Sequence, residues 1–247
     1  MTFRRLENGR KFNNYDLLKD IAFITMIIDH LGLFVFSGLR FLRVIGRASA
    51  LIYAFLFGIS RKRNGDRILT AAVVTSLVWA ILLDRIFPLN VLYNFYLSSF
   101  LLDRLERLYS GNIFAFSAVL LVLLASAEVI DAFLEYGSYF LLLIFCGRLC
   151  RKREMTRRDK TVVALLVLAF FRQQALHMEF SLIQSLCLFV IFLTIYLTFI
   201  NFRLRELENI PKRGLLLFLS RYSVELFVLQ HIFFITLLCL RWTLGKT

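Results

Sequence analysis

Proline is almost missing from this chain of 247 residues, which has 2 (Pro88 and Pro211), and histidine occurs only 3 times. So few prolines leave little room for the matched, broken helices from which many secondary transporters build a midplane site. There is no Gly-rich phosphate loop, no HExxH, no GxSxG elbow and no DxD acidic pair. P-loop nucleotide chemistry, zinc peptidase chemistry, a serine-hydrolase nucleophile and metal-assisted glycosyl transfer all lose their usual carriers. The 4 cysteines, Cys146, Cys150, Cys187 and Cys239, lie in or beside apolar runs. Cys146 and Cys150 share a helix face, but buried cysteine is an ordinary small apolar residue, so neither a metal site nor a disulfide framework follows. Residues 1–16 are polar and no small-residue cleavage site follows the first apolar run, which argues against a cleaved signal peptide. No segment alternates with the period of two that a transmembrane barrel needs. Low-complexity linkers, internal repeats and a separate soluble domain are missing too, so residues 1–247 read as one integral membrane domain.

What the chain does have is apolar bulk. Hydrophobic residues make up 59% of it, 27 of them Phe, and the mean hydropathy is +0.72, more than one soluble core of this length requires. Long Leu/Ile/Val/Phe runs separated by basic clusters predict an all-α, polytopic membrane bundle. The runs fall near 20–37, 44–60, 68–86, 88–102, 112–127, 132–149, 161–176, 180–200 and 214–240. That is about nine transmembrane helices, within a range of eight to ten, since roughly 20 residues cross a hydrocarbon core.

The net charge of +13 raises nucleic acid or an anionic surface as partners. In a polytopic chain loop arginines are topology signals instead, so no nucleic-acid partner is expected. With a cytoplasmic N-terminus the inner segments 1–19, 61–67, 103–111, 148–160 and 201–213 carry 22 of the 30 Lys and Arg, against 7 at the outer ends. This bias matches the positive-inside rule. The basic stretch Gly147–Lys160 then lies at the inner headgroups as an anchor to anionic lipid.

Ionisable groups inside apolar runs are costly enough to ask for a role. Asp29 and His30 close the first run. Being adjacent, their side chains point about 100° apart on a helix, so one faces a reacting centre while the other ties down a neighbour. Arg40, Arg43 and Arg47, spaced i, i+3, i+7, form one basic stripe that a hairpin would bring towards them. In the last run Arg221 and Glu225 are spaced for an i, i+4 ion pair, and His231 lies near mid-span. His177 and Glu179 read as a solvated outer turn, and Asp84, Arg85 and Asn90 as capping and turn groups around Pro88. A neutral imidazole in a dry cleft is a general base for an amine or hydroxyl. Arginines beside it can hold an oxyanion or the phosphates of a donor. The residues therefore point to base-catalysed group transfer without a metal.

Asp16-Leu-Leu-Lys-Asp-Ile-Ala, followed by His30 fourteen residues after Asp16, resembles the first-helix signature of the acyltransferase type 3 superfamily, with Lys19 where Arg is usual. A closer resemblance is to the TraX family, the F-pilin acetylase and its relatives. It rests on Ile21-Ala22, Thr25-Met26, Ile28-Asp29-His30 and Gly32, on Leu42-Arg43-Val44-Ile45-Gly46-Arg47, and on the aromatic pair Tyr53 and Phe55. The stretches from Leu89, from Glu135 and from Ser223 to His231 add to it, while Leu51 and Leu229 stand where the family has proline. The resemblance implies transfer of an acetyl or other acyl group from acyl-CoA. The acceptor would be the N-terminal amine of a pilin-like protein, or a glycan or lipid hydroxyl, and the setting a bacterial inner membrane. It makes His30 the general base, Asp29 and Arg47 its positioning or charge-stabilising partners, and His231 a secondary catalytic group. Arg43, Arg47 and Lys19 become the candidates for holding acetyl-CoA, with the pantetheine arm threading in from the cytoplasmic side. The alternative is a non-enzymatic transport protein or an assembly factor for a pilus or secretion system.

Overall fold

Asparagine and hydroxyl residues mark where the helices begin. α1 (Asn14–His30) starts behind Asn13, whose side chain accepts from the Asp16 amide. Asn64, Asn90 and Asn112 do the same for α4 (Gly65–Leu83), α5 (Val91–Gly111) and α6 (Ile113–Ala125). Thr156 and Ser181 form full capping boxes at α9 (Arg157–His177) and α10 (Leu182–Ile200). Each cap satisfies backbone donors that would otherwise be orphaned at a helix start. The protein is described from a computed structural model, over residues 12–60, 64–84, 87–152, 154–207 and 213–244.

Between these lie α2 (Arg40–Gly46) and α3 (Ala48–Ile59), which run on as one rod, then α7 (Ala127–Asp131), α8 (Gly137–Cys150), α11 (Arg213–Arg221) and α12 (Ser223–Leu244). A π-helical turn, Leu31–Val35, continues α1 beyond His30. No strand occurs among the described residues; two isolated bridges, Asn13 with Glu206 and Leu89 with Leu134, tie segment ends together.

α8 is the axis of the bundle. Phe140, Leu142, Leu143, Ile144, Phe145, Cys146 and Leu149 are all buried, as an all-round apolar helix must be. It meets α3 backbone to backbone: a Cβ on Gly58 would lie 2.1 Å from the Ile144 carbonyl oxygen, and one on Gly147 2.2 Å from that of Phe55. α4 and α10 face outward instead, with Ile81 and Leu182 more than three-quarters exposed at 79% and 77%. Apolar surface on this scale needs a lipid covering.

Four segments among the described residues are long and apolar enough to cross a membrane: Arg40–Ile59, Gly65–Leu83, Leu182–Ile200 and Ser223–Arg241. That is fewer than the expected nine, for reasons visible in the other helices. α1, α6 and α8 have 17, 13 and 14 residues, whereas α5 and α9, with 21 each, end or begin in charged turns.

Three sequence expectations are corrected here. Residues 103–111, read as an inner loop, are the last turns of α5, and a single residue, Asn112, separates them from α6. The run 214–240 is two helices joined at Tyr222, so Arg221 sits exposed at a junction and not inside a span. Arg221 also does not pair with Glu225: Arg67 Nε donates to Glu225 Oε1 at 2.7 Å, and its Nη2 reaches both Glu225 Oε2 and the Arg221 carbonyl. Arg85 lies outside the described residues, while Asp84 ends α4 in the left-handed region and Asn90 caps α5.

The helix ends meet in two sets. At one end the Asn14 amide donates to Arg205 O at 3.0 Å, Arg148 binds Asp103 and Glu106 at 3.0 and 2.6 Å, and Asp159 accepts from Tyr109 and Lys152 at 2.9 and 2.8 Å. At the other, Arg40 donates to Glu179 O at 3.1 Å and the Leu89 amide to Phe133 O at 2.8 Å. His177 there lies 3.9 Å from Asp131 and is well exposed.

Asp159 gives a pH test. Burial alone would raise its carboxyl, but hydrogen bonds from Lys152, the Thr156 amide and hydroxyl, and Tyr109 hold it below the usual carboxylate range. A lowered folded pKa means stability that is present above the unfolded value and lost as pH falls through the folded one. Acidification below about pH 4 should therefore lower the melting temperature of the wild type more than that of Asp159→Asn. Thr156→Ala should cost about 1 kcal/mol at neutral pH through loss of the cap. Thermal melts of the detergent-solubilised protein read both.

Candidate functional site

The site is built where α1, α2 and α12 converge. Asp29 and His30 end α1 side by side and do part in direction. Asp29 faces α2, where Arg43 Nη1 donates to its Oδ2 at 2.6 Å and Arg47 Nε lies 3.7 Å from its Oδ1. The close approach requires Gly46, because a Cβ there would lie 2.3 Å from that of Asp29. Of the basic stripe, Arg43 and Arg47 thus reach Asp29 and also touch the Met178 sulfur, while Arg40 reaches the turn at Glu179. Arg47, 4% exposed, further donates to the Tyr136 hydroxyl at 2.9 Å.

His30 faces α12. Its ring lies edge-on to that of His231 with centroids 4.5 Å apart, beside the stacked rings of Phe34 and Phe234. Gln230 Nε2 is 2.7 Å from His30 Nδ1, and His231 Nδ1 is 3.0 Å from the Phe227 carbonyl. The two histidines of the apolar runs, 201 residues apart in sequence, are one cluster.

Two cavities share this cluster as their wall. The larger, about 240 Å³, extends past Tyr53 and Phe95 to Tyr15, Lys19, Ser60, Asn64 and Arg67, at the end where α1, α4 and α12 begin and α3 stops. The smaller, about 120 Å³, lies towards the other end, against Arg43, Arg47, Ser76, Trp79 and Asn90. Asp29, His30, Glu135 and His231 line both. Within the described residues the Tyr53 hydroxyl, Trp79 Nε1, Arg47 Nε and Asp29 Oδ1 are buried without a hydrogen-bond partner. Buried polar atoms are seldom left so, and the residues that carry them line one or both cavities.

The structure separates one group that the sequence had joined. Lys19 sits at the far mouth of the larger cavity, about 16 Å along α1 from His30, with its ammonium 3.3 Å from the Ser220 carbonyl. Arg43 and Arg47 are at the histidines, so the three do not form one phosphate site. Glu135, Tyr136, Trp79 and Gln230 join the cluster without having been singled out. Glu135 Oε2 accepts from the Val91 amide at 3.0 Å and its side chain then borders both cavities. A glutamate at the edge of a long apolar run, in Glu135-Tyr136-Gly137, and a glutamine beside His231 were the signals available. Among the described residues no group of three or more His, Cys, Asp or Glu converges as a metal site would need.

A family model described as TraX protein matches residues 14–232, from the first residue of α1 to the residue after His231. The chain belongs to the TraX family. Both halves of the TraX match, the Asp29-His30 end and the His231 end, are therefore the parts that fold together into this cluster. The chain is also similar to an uncharacterized protein of Rickettsia prowazekii (strain Madrid E), 27% identical over 141 residues. That match spans 56% of this chain and 56% of the relative, so the chain matches little more than half the length of that protein. No solved structure matches the chain.

Proposed function

We propose that this TraX-family protein is a membrane acyltransferase that takes an acetyl or other acyl group from acyl-CoA and gives it to an amine or hydroxyl acceptor, such as the N-terminus of a pilin-like protein. The observation that carries this reading is the histidine pair standing as the shared wall of two cavities that run to opposite ends of the bundle. A donor approaching along the larger cavity and an acceptor along the smaller meet at that wall, which is the near-attack geometry that group transfer needs.

The chain crosses the membrane nine times in this reading, with its N-terminus inside. The support is agreement between two independent arguments. The ends that meet at Asn14, Arg148, Asp159 and Arg205 belong to segments the loop charges put inside, and those that meet at Arg40, Leu89 and His177 to segments they put outside. The setting is a bacterial inner membrane, and α11, amphipathic and docked on α1 through the 2.6 Å bond from Ser220 Oγ to Asp16, lies along the inner face.

Acyl-CoA enters as a substrate from the cytoplasmic end. Lys19 borders that mouth and suits the donor's phosphates, while the apolar passage past Phe57 and Phe95 suits a pantetheine arm. The imidazole pair supplies the base, and Asp29 with Arg43 and Arg47 fixes α1 against α2 so that the rings hold their place.

Donor binding is the test. Acetyl-CoA at a hundred times its dissociation constant should stabilise the detergent-purified wild type by about 2.7 kcal/mol, raising its melting temperature. Lys19→Ala should need more ligand for the same rise, and adenosine phosphates alone should give a smaller one. No shift at millimolar acetyl-CoA in folded protein would sink the acyltransferase reading and favour transport or pilus assembly.

A further inference from the structure

The two imidazoles at the cavity wall are chemically unequal, and the hydrogen bonds say how. An amide nitrogen only donates. Gln230 Nε2 lies 2.7 Å from His30 Nδ1, and the same amide's Oε1 is buried without a hydrogen-bond partner among the described residues. With the amide assigned in this orientation His30 Nδ1 offers a lone pair, and the ring's single proton when neutral is on Nε2. A carbonyl oxygen only accepts. His231 Nδ1 lies 3.0 Å from Phe227 O, so here Nδ1 carries the proton and Nε2 is bare. Both partners are on α12. Phe227 O belongs to the preceding turn of α12, and Gln230 is 8% exposed and adjacent to His231.

We propose that Gln230 and the Phe227 carbonyl lock His30 and His231 in opposite tautomers, making His231 Nε2 the base and His30 Nε2–H the oxyanion donor of acyl transfer, with Gln230 a positioning residue. The division of roles rests on the acyltransferase reading; the tautomer lock does not. It also reverses the weight that the first-helix resemblance puts on His30 as base.

The reaction balances with these two groups and the two substrates. The acceptor's lone pair forms the new bond to the thioester carbon while its proton passes to His231 Nε2. The carbonyl π pair moves onto oxygen, where His30 Nε2–H holds it. The oxygen's pair then re-forms the C=O bond as the C–S bond breaks, the C–S electron pair leaves with sulfur, and the proton returns from His231 to give the CoA thiol and the acylated acceptor. Aiming a fixed donor at the developing oxyanion is the larger part of such catalysis, and loss of one donor costs 10²–10³ in kcat in other enzymes.

Two readouts on the 247-residue chain in detergent test this. The first needs no activity. In protein labelled with ¹⁵N-histidine, protonated and bare ring nitrogens have widely separated shifts, and the 3 histidines can be assigned by single substitutions, with exposed His177 as the solvated reference. His30 should appear as the Nε2–H tautomer and His231 as the Nδ1–H tautomer. Gln230→Met should leave His30 as a mixture and His231 unchanged. Equal tautomers in the wild type, or a His30 signal indifferent to Gln230→Met, overturn the lock. The second readout is acetyl-CoA thioester cleavage in the presence of a small primary amine as acceptor probe. Glutamine keeps an N–H near the Nε2 position but is no base. His30→Gln should thus lose about tenfold or less, whereas His231→Gln should lose a hundredfold or more, within the 10²–10⁴ ascribed to general bases. The reverse ordering overturns the assigned roles. Opposite tautomers in a protein that neither binds acetyl-CoA nor cleaves it with the acceptor probe present overturn the acyltransferase reading while supporting the lock.

Discussion

Asp29→Ala should lower the stability of the folded protein by about 3–5 kcal/mol, the cost of breaking a buried ion pair from one side. The reason lies in what the substitution leaves behind. Arg43 and Arg47 side chains are 14% and 4% exposed and both face Asp29. Without the carboxylate, two guanidiniums remain in a low-dielectric interior, and for Arg47 the Tyr136 hydroxyl and the Met178 sulfur are weak replacements. The measurement is chemical or thermal unfolding in detergent of Asp29→Ala, Arg47→Met and the double variant. The double variant should be less destabilised than the sum of the two singles, since removing both partners leaves less uncompensated charge. Strict additivity would mean that the network does not act as one unit.

The second large effect is expected far from any charge. Gly147→Val should cost about 3 kcal/mol or more, at or above the upper end of the usual overpacking range. A Cβ at residue 147 would overlap the Phe55 carbonyl oxygen at 2.2 Å and the Phe55 Cα at 2.7 Å, and both are backbone atoms inside α3 that cannot turn aside. α3 and α8 would have to part, and α8 is the buried axis on which α5 and α9 also pack. Gly111→Ala is the matching control. Nothing lies within 4 Å of a Cβ there, so it should leave the melting point unchanged or slightly higher. If Gly147→Val melts like Gly111→Ala, the backbone contact between α3 and α8 is wrong.

Gly46 is the same device placed at the site. Its bare Cα lets α2 close onto Asp29, so the glycine within Leu42-Arg43-Val44-Ile45-Gly46-Arg47 and the acid within Ile28-Asp29-His30 are two halves of one contact. The sequence showed both stretches as separate motifs; the reason they come as a pair is tertiary.

By itself the sequence determined that the chain is helical and suited to a membrane, because apolar runs of that length are local properties that no later folding can reverse. It determined the helix starts in the same local way, since Asn64, Asn90, Thr156 and Ser181 cap amides within a few residues of themselves. It also determined that Asp29 and His30 must part in direction, because adjacent residues on one helix cannot share a face. Only the tertiary structure decided who meets whom. Arg221 and Glu225 have ideal spacing for each other, yet Arg67 takes Glu225, because helix spacing sets which groups can meet and packing sets which do. Lys19 left the arginines for the same reason, being on their helix neighbour but most of a membrane leaflet away. Gln230, Glu135 and Trp79 became part of the site through contacts made across distant helices, and no one-dimensional pattern encodes the direction of a side chain across such a gap.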